Sequence, residues 1–241
     1  MPKIGVLDSG VGGLTTVSAI MKQIEDVDVV YYADNGAGSY GNLSDAEIQA
    51  TAYKGLKKLF ASGAVLAVLA CNTATVTSVE ALRKRFRREI VGTEPAVRLA
   101  AGKSVTLVTA ATARTLRYKK LAQAACTETV VLPRLAAVIE KGKEHFDEAS
   151  DMVISALENK SFDSVVLGCT HYVFLKERLK EAFPRAYIVD GNEGVAKRVE
   201  RLLRNESGGE ASIGGDIKMI FSGENRKKTY SELLEDLRNS R

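Results

Sequence analysis

The chain has 241 residues, of which 45% are hydrophobic, with 34 Lys plus Arg against 30 Asp plus Glu. A net charge of +4 spread along the chain argues against a nucleic-acid partner, and no apolar run reaches the ~18 residues that span a membrane. Three cysteines with no leader pattern argue against a disulfide framework, so a soluble, cytoplasmic protein with reduced thiols is expected.

Residues 3–7, KIGVL, form a predicted strand, and Asp8-Ser9-Gly10-Val11-Gly12-Gly13 leads into a helix over about 14–25. The glycines suit a tight strand-to-helix turn with N–H groups aimed at an anion. GVGG lacks the GxGxxG spacing and the Lys of a phosphate loop, so a carboxylate-binding or structural turn fits better than a nucleotide site. Asp8 reads equally as a helix cap or a site residue. A strand over 27–33 precedes a glycine-rich loop, 34–41, with Tyr40 near its tip. Ser44-Asp45-Ala46-Glu47 reads as a capping box for a helix over about 45–61.

The apolar run 64–70 then stops at Cys71-Asn72-Thr73, ahead of a helix over about 74–88. A short apolar run bounded by polar residues reads as a strand buried on both faces. The basic cluster 83–88 reads as a solvated helix face. A short strand, 90–92, and Thr93-Glu94-Pro95 close the first series.

A second series begins with a strand over 103–109 and a helix over 114–125. A strand over 129–132, a short segment 133–142 and a helix over about 147–159 follow. The strand 164–168 ends at Cys169-Thr170-His171, before a helix over 174–183 and a strand over 186–189. The remainder reads as a helix over about 193–204, a glycine-rich linker 205–215, a strand 218–221 and a helix 227–238. Cys126 reads as a small buried residue and His145 as solvent-facing.

Strands alternating with helices indicate an α/β fold. The similarity of the two series predicts two pseudosymmetric domains, each a mostly parallel sheet flanked by helices, with the active site in the cleft between them. The expected division is 1–95 plus about 206–241 for the first domain and about 96–205 for the second. Polar residues at strand ends in such sheets lie where ligands bind. Cys71 and Cys169 are then expected on opposite walls.

Several chemistries use two thiols. A zinc set of Cys71, Cys169 and His171 lacks ligand-pair spacing, and no metal is expected. Redox cycling wants a CxxC, which neither site has. A Cys169–His171 nucleophile leaves the second thiol unexplained. Both cysteines could be core residues, although the flanking polar groups need partners. A two-base isomerase uses both thiols, one on each face of a carbon acid. Helix N-termini after both cysteines would favour the thiolate.

The motifs Asp8–Gly13, Cys71-Asn72-Thr73-Ala74-Thr75 and Gly168-Cys169-Thr170-His171-Tyr172 together resemble the aspartate/glutamate racemase superfamily, and within it the glutamate racemases. Tyr40-Gly41, Glu94-Pro95 and Ser222-Gly223 match in order, so the resemblance spans nearly the whole chain. It implies cofactor-independent interconversion of L- and D-glutamate, supplying peptidoglycan synthesis, with glutamate as the small-molecule partner. Neither nucleic acid nor membrane is implied, and the family's dimers allow a homodimer. Carried over, Cys71 and Cys169 are the acid/base thiols, with Asp8 assisting Cys71, His171 assisting Cys169, and Glu140 as an assisting carboxylate. Asp8, Ser9, Tyr40, Gly41, Asn72, Thr73, Thr170 and His171 match substrate-binding positions. Asn35-Gly36-Ala37 and Ser39 replace the family's Thr-Ala-Arg and Pro, and Val173 replaces another Pro. Losing the first Pro frees the chain before Tyr40. A racemase for aspartate or another amino acid, or a non-catalytic amino-acid-binding relative, stays open on this reading.

Overall fold

The structure is a computed structural model that describes residues 1–24, 26–204 and 215–239. In chain order the first series is β1 (Lys3–Asp8), α1 (Gly13–Gln23), β2 (Asp28–Ala33), α2 (Asp45–Ala61), β3 (Leu66–Leu69), α3 (Asn72–Arg83) and β4 (Ile90–Gly92). The second is β5 (Ser104–Val108), α4 (Ala110–Arg114), α5 (Leu116–Ala124), β6 (Glu128–Val131), α6 (Leu135–Ile139), α7 (Phe146–Leu157), β7 (Ser164–Leu167), α8 (Lys176–Ala182) and β8 (Tyr187–Val189). The chain closes with α9 (Asn192–Arg204), β9 (Ile217–Phe221) and α10 (Lys227–Asn239). The expected end of the first helix at Glu25 and all of the expected linker except Gly215 lie outside the described residues.

Two sheets form, and each strand pairing in them is parallel. The first has the order β4-β3-β1-β2-β9 and the second β6-β5-β7-β8. Taken from its other edge, the second sheet runs β8-β7-β5-β6, which repeats the first without β9. The fold is therefore a duplicated α/β unit, as the two similar series imply. In both sheets the chain leaves one central strand for one side and returns on the other, which opens a crevice at the strand ends. That crevice lies between β1 and β3 in one unit and between β5 and β7 in the other.

The central strands are buried on both faces, which explains their unbroken apolar runs. Local signals fix the helices. Ser44 and Glu47 form the expected capping box at α2. Thr109 caps α4 and Thr115 caps α5, so the helix expected over 114–125 begins at Leu116 and a separate short helix over 110–114 precedes it. The helix expected over 74–88 ends at Arg83, and two residues of the basic cluster, Arg83 and Arg88, bond to backbone carbonyls instead of only facing solvent. Arg83 donates to the Ile90 carbonyl, while Arg88 donates to the carbonyls of Phe60 and Ala64. After Cys169 the chain takes a 3-10 turn, Thr170–Leu175, before α8 begins.

One expectation is overturned at Cys126. Its small neighbours suggest burial, but the residue is exposed, with a left-handed backbone (φ 50°) at the end of α5. The turn there aims the side chain out of the core, and Sγ lies 3.7 Å from the Gln123 carbonyl. Among the described residues no helix is long and apolar enough to cross a membrane.

Candidate active site

The register puts the two thiols at equivalent points. Leu7 pairs with Leu69, so Ser9 and Cys71 each stand two residues beyond a matched pair. Leu107 pairs with Leu167, so Thr109 and Cys169 do the same in the second unit. A cavity of about 170 Å³ takes in all four, together with Tyr40, Gly41, Thr73, Glu140 and His171. A cavity of ~150 Å³ holds a benzene-sized molecule, so this volume suits a small metabolite. Cys71 is 5% exposed and Cys169 7% exposed.

The second wall is built as a relay. His171 Nδ1 lies 3.8 Å from Cys169 Sγ, and its Nε2 lies 2.8 Å from Glu140 Oε2. Burial alone would push the imidazole towards its neutral form. The hydrogen bonds to Cys169 and Glu140 outweigh burial and hold His171 well above its ordinary value. Burial would likewise raise Glu140, yet His171, the Val11 N–H and the Tyr230 hydroxyl hold it below the usual range. The Val11 N–H donates to Glu140 Oε2 at 2.9 Å. The glycine turn therefore does bind a carboxylate, and that carboxylate is Glu140 of the facing unit.

Space explains the glycines better than backbone angle, since none of Gly10, Gly12 or Gly13 has a positive φ. A Cβ on Gly10 would fall onto the Glu140 carboxylate. One on Gly12 would stand 2.5 Å from Thr170 Oγ1 and 2.6 Å from His171 Nδ1.

The first wall is different. Ser9 Oγ lies 3.7 Å from Cys71 Sγ. Asp8 is fully buried and makes its polar contacts elsewhere. It accepts from the Gly10 N–H and, across the cleft, from Thr170 Oγ1, each at 3.0 Å. Burial raises its carboxyl to about 6, against the pull of His171 and these donors. Cys71 is the N-cap of α3, a location expected to favour the thiolate. Burial and the nearby Asp8 carboxylate prevail instead and push its thiol up.

Other predicted site residues have structural partners. Tyr40 is buried, and its hydroxyl donates to Asp34 Oδ2 at 2.5 Å. Asn72 lies at the edge of the site and donates to the Thr93 carbonyl at 3.0 Å. Gly41 lines the cavity against Thr109. The loop over the cavity is tied down at Asn35 and Gly36, ahead of the position where Ser39 replaces Pro. Asn35 Nδ2 donates to the Glu224 carbonyl (2.7 Å), the Gly223 N–H donates to Asn35 Oδ1 (3.0 Å), and the Gly36 N–H donates to Ser222 Oγ (2.9 Å).

Sequence reasoning missed a threonine cluster that joins the units. Thr73 Oγ1 lies 3.0 Å from both Thr109 Oγ1 and Thr112 Oγ1. The one available signal was position, because Thr109 ends a central strand as Ser9 does. It also missed Arg226 and Tyr230, which reach Glu140 from α10 and the turn before it. Among the described residues no group of three or more His, Cys, Asp or Glu side chains is arranged to hold a metal ion.

Comparison with known proteins agrees with this geometry. A family model described as Asp/Glu/Hydantoin racemase matches residues 15–199. A glutamate racemase of Leptospira borgpetersenii serovar Hardjo-bovis is 35% identical, over 97% of this chain and 96% of its own. The crystal structure of a Bacillus anthracis glutamate racemase isoform superposes with a TM-score of 0.84 at 26% identity, covering 98% of this chain and 93% of that one. The Escherichia coli glutamate racemase, solved with L-glutamate and the activator UDP-MurNAc-ala, gives 0.83 at 29% identity, covering 98% and 95%.

Proposed function

Because the chain belongs to the Asp/Glu/hydantoin racemase family, isomerases that act without pyridoxal phosphate, we propose that it interconverts L- and D-glutamate with Cys71 and Cys169 as paired acid and base. The observation that carries this reading is the equivalence of the two thiols. They stand at matched strand ends of a duplicated unit and line one cavity. The substrate assignment draws on the glutamate racemases to which the chain is similar over nearly its full length. Its product would feed peptidoglycan synthesis.

The resting protein is set up for one direction. Cys71 favours the neutral thiol, and Cys169 faces an imidazole held towards its charged form. With L-glutamate bound, the Cys169 thiolate takes the α-proton and leaves a carbanion next to the substrate carboxylate. The Cys71 thiol then gives its proton to the opposite face, which yields D-glutamate, a Cys71 thiolate and a Cys169 thiol. No proton is gained or lost, and the reverse reaction exchanges the roles. The developing carboxylate charge is met by N–H donors in the first turn of α3 and in the turn after Cys169. Ser9, Thr73 and Thr109 supply hydroxyls on the cavity wall.

The test is incubation of the purified protein with L-glutamate, and separately with L-aspartate, in deuterated water. D-glutamate carrying deuterium at the α-carbon is expected. Turnover of aspartate alone would overturn the substrate assignment. Unlabelled product would overturn the two-base route.

A further inference from the structure

Glu140 is held from behind by the C-terminal part of the chain. The Tyr230 hydroxyl donates to Glu140 Oε1 at 2.8 Å. Arg226 Nη1 donates to the Glu140 carbonyl at 2.9 Å and lies 3.4 Å from Oε1. The other carboxylate oxygen, Oε2, takes the Val11 N–H and His171 Nε2. Each oxygen of Glu140 is thus committed to a different side, and the carboxylate plane cannot rotate without breaking one pair. Tyr230 itself is fully buried, with its ring packed against Phe221 at 5.1 Å and Tyr31 at 6.3 Å between centroids. Tyr31 is fixed in turn by its hydroxyl bond to the Gly10 carbonyl. The hydroxyl of Tyr230 therefore has a set location, and a buried phenol needs such a partner.

We propose that Tyr230, aided by Arg226, is a positioning residue for the second-wall thiol: by fixing Oε1 of Glu140 it reserves Oε2 for His171, which keeps the imidazole beside Cys169. Neither residue touches the cavity, so the effect is transmitted through Glu140. The groups facing Glu140 are His171, Tyr230 and Arg226, with Asp8 and Tyr31 acting at longer range. Charge-assisted bonds of this kind are the strong ones. The proposal rests on the racemase reading for its kinetic consequences but not for its geometry.

Tyr230→Phe removes one oxygen and keeps the packed ring. The expected result is a fall in kcat/KM of about tenfold, the loss set by one hydrogen bond to a charged group, with KM little changed. The fall must be equal for both enantiomers, because their equilibrium constant is one. The isotope effects should part company. With α-deuterated L-glutamate, the enantiomer assigned to Cys169, the effect on kcat/KM should rise, and with α-deuterated D-glutamate it should fall. In a Glu140→Gln background the Tyr230→Phe change should cost less than about twofold, since the two act as one unit. Equal losses in both backgrounds, or isotope effects that move together, would overturn the proposal. A second measurement needs no turnover. The His171 Nε2–H proton, observed by nitrogen-edited NMR, should exchange with water about tenfold faster in Tyr230→Phe. An unchanged exchange rate would refute the positioning role even if the wild-type protein proved inactive on amino acids, whereas that inactivity would refute the racemase reading alone.

Discussion

Gly12→Ala adds one methyl group at the seam between the two units. Its Cβ would stand 2.5 Å from Thr170 Oγ1, 2.6 Å from His171 Nδ1 and 2.7 Å from the His171 backbone N. Ordinary contact begins near 3.4 Å, so the 170–171 turn must retreat by about 0.8 Å from its present 2.6 Å approach. Rotating the His171 ring does not relieve this, because the backbone N is struck as well. The retreat loosens the Thr170–Asp8 and His171–Cys169 contacts together. Overpacking of this kind costs about 2 kcal/mol, which for a chain of this size lowers Tm by about 4–8 °C. A misplacement near 1 Å in a reacting group costs about a hundredfold in rate. The assay pairs thermal unfolding with racemase turnover. Gly194→Ala is the control, since nothing lies within 4 Å of a Cβ there. It should leave turnover intact and raise stability by about 0.5–1 kcal/mol. Wild-type turnover in Gly12→Ala with a lowered Tm would refute the claim that this glycine sets the catalytic wall.

Three further outcomes are expected. Cys71→Ser and Cys169→Ser should each abolish racemisation with little change in Tm, and near-normal turnover in either would refute the paired-thiol mechanism. Asp8 has a folded-state value near 6 against an ordinary 3.8, so the folded protein binds more protons than the unfolded one between those values. Stability should therefore fall as pH rises through that window, by about 3 kcal/mol at about 1.4 kcal/mol per pH unit. Compared with Asp8→Asn in urea titrations, the gap between the two proteins should change by most of that amount, about 2.4 kcal/mol, between pH 4 and pH 7, and a constant gap would count against it. Cys126→Gly relieves a left-handed residue at an exposed turn and should stabilise by about 1 kcal/mol in chemical denaturation; a destabilised variant would sink the strain argument.

The duplication was legible because a buried parallel strand declares itself by an apolar run that ends at polar residues. The capping box at Ser44–Glu47 was legible for a similar reason, as both of its partners lie within one turn. What stayed hidden depends on contacts between the units. Thr73 meets Thr109 and Thr112 only when the two crevices face each other, and a lone threonine in a chain carries no such signal. The glycine turn read as either carboxylate-binding or structural, and the carboxylate it meets lies 129 residues from Val11, at Glu140. Glu140 itself was suggested by family resemblance alone. Tyr230 belongs to the last predicted helix, 227–238, and no motif marks its hydroxyl. Cys126 misled because small neighbours indicate burial, while the positive φ that exposes it is a turn property.

Duplication makes the two thiols topologically equivalent, and the side chains around them undo that equivalence. A two-base reaction starts and ends with one thiol and one thiolate, so a perfectly symmetric pair would gain nothing by being alike in the resting state. Here the symmetry is broken by charge. Cys71 is buried beside the Asp8 carboxyl, and burial and that charge favour the protonated form against the opposing contact with the Ser9 hydroxyl. Cys169 sits beside an imidazole backed by a carboxylate, which is itself held by a phenol and a guanidinium. Asp8 links the two surroundings, because its partner Thr170 follows Cys169 directly while its charge acts on Cys71. A proton arriving at Asp8 would weaken the force that keeps Cys71 protonated and at the same time remove a negative charge near His171. The two walls therefore share one buried carboxyl, and Asp8→Asn should alter which of the two proton transfers limits the rate, read from isotope effects with α-deuterated L- and D-glutamate; isotope effects that stay as in the wild type would refute the link.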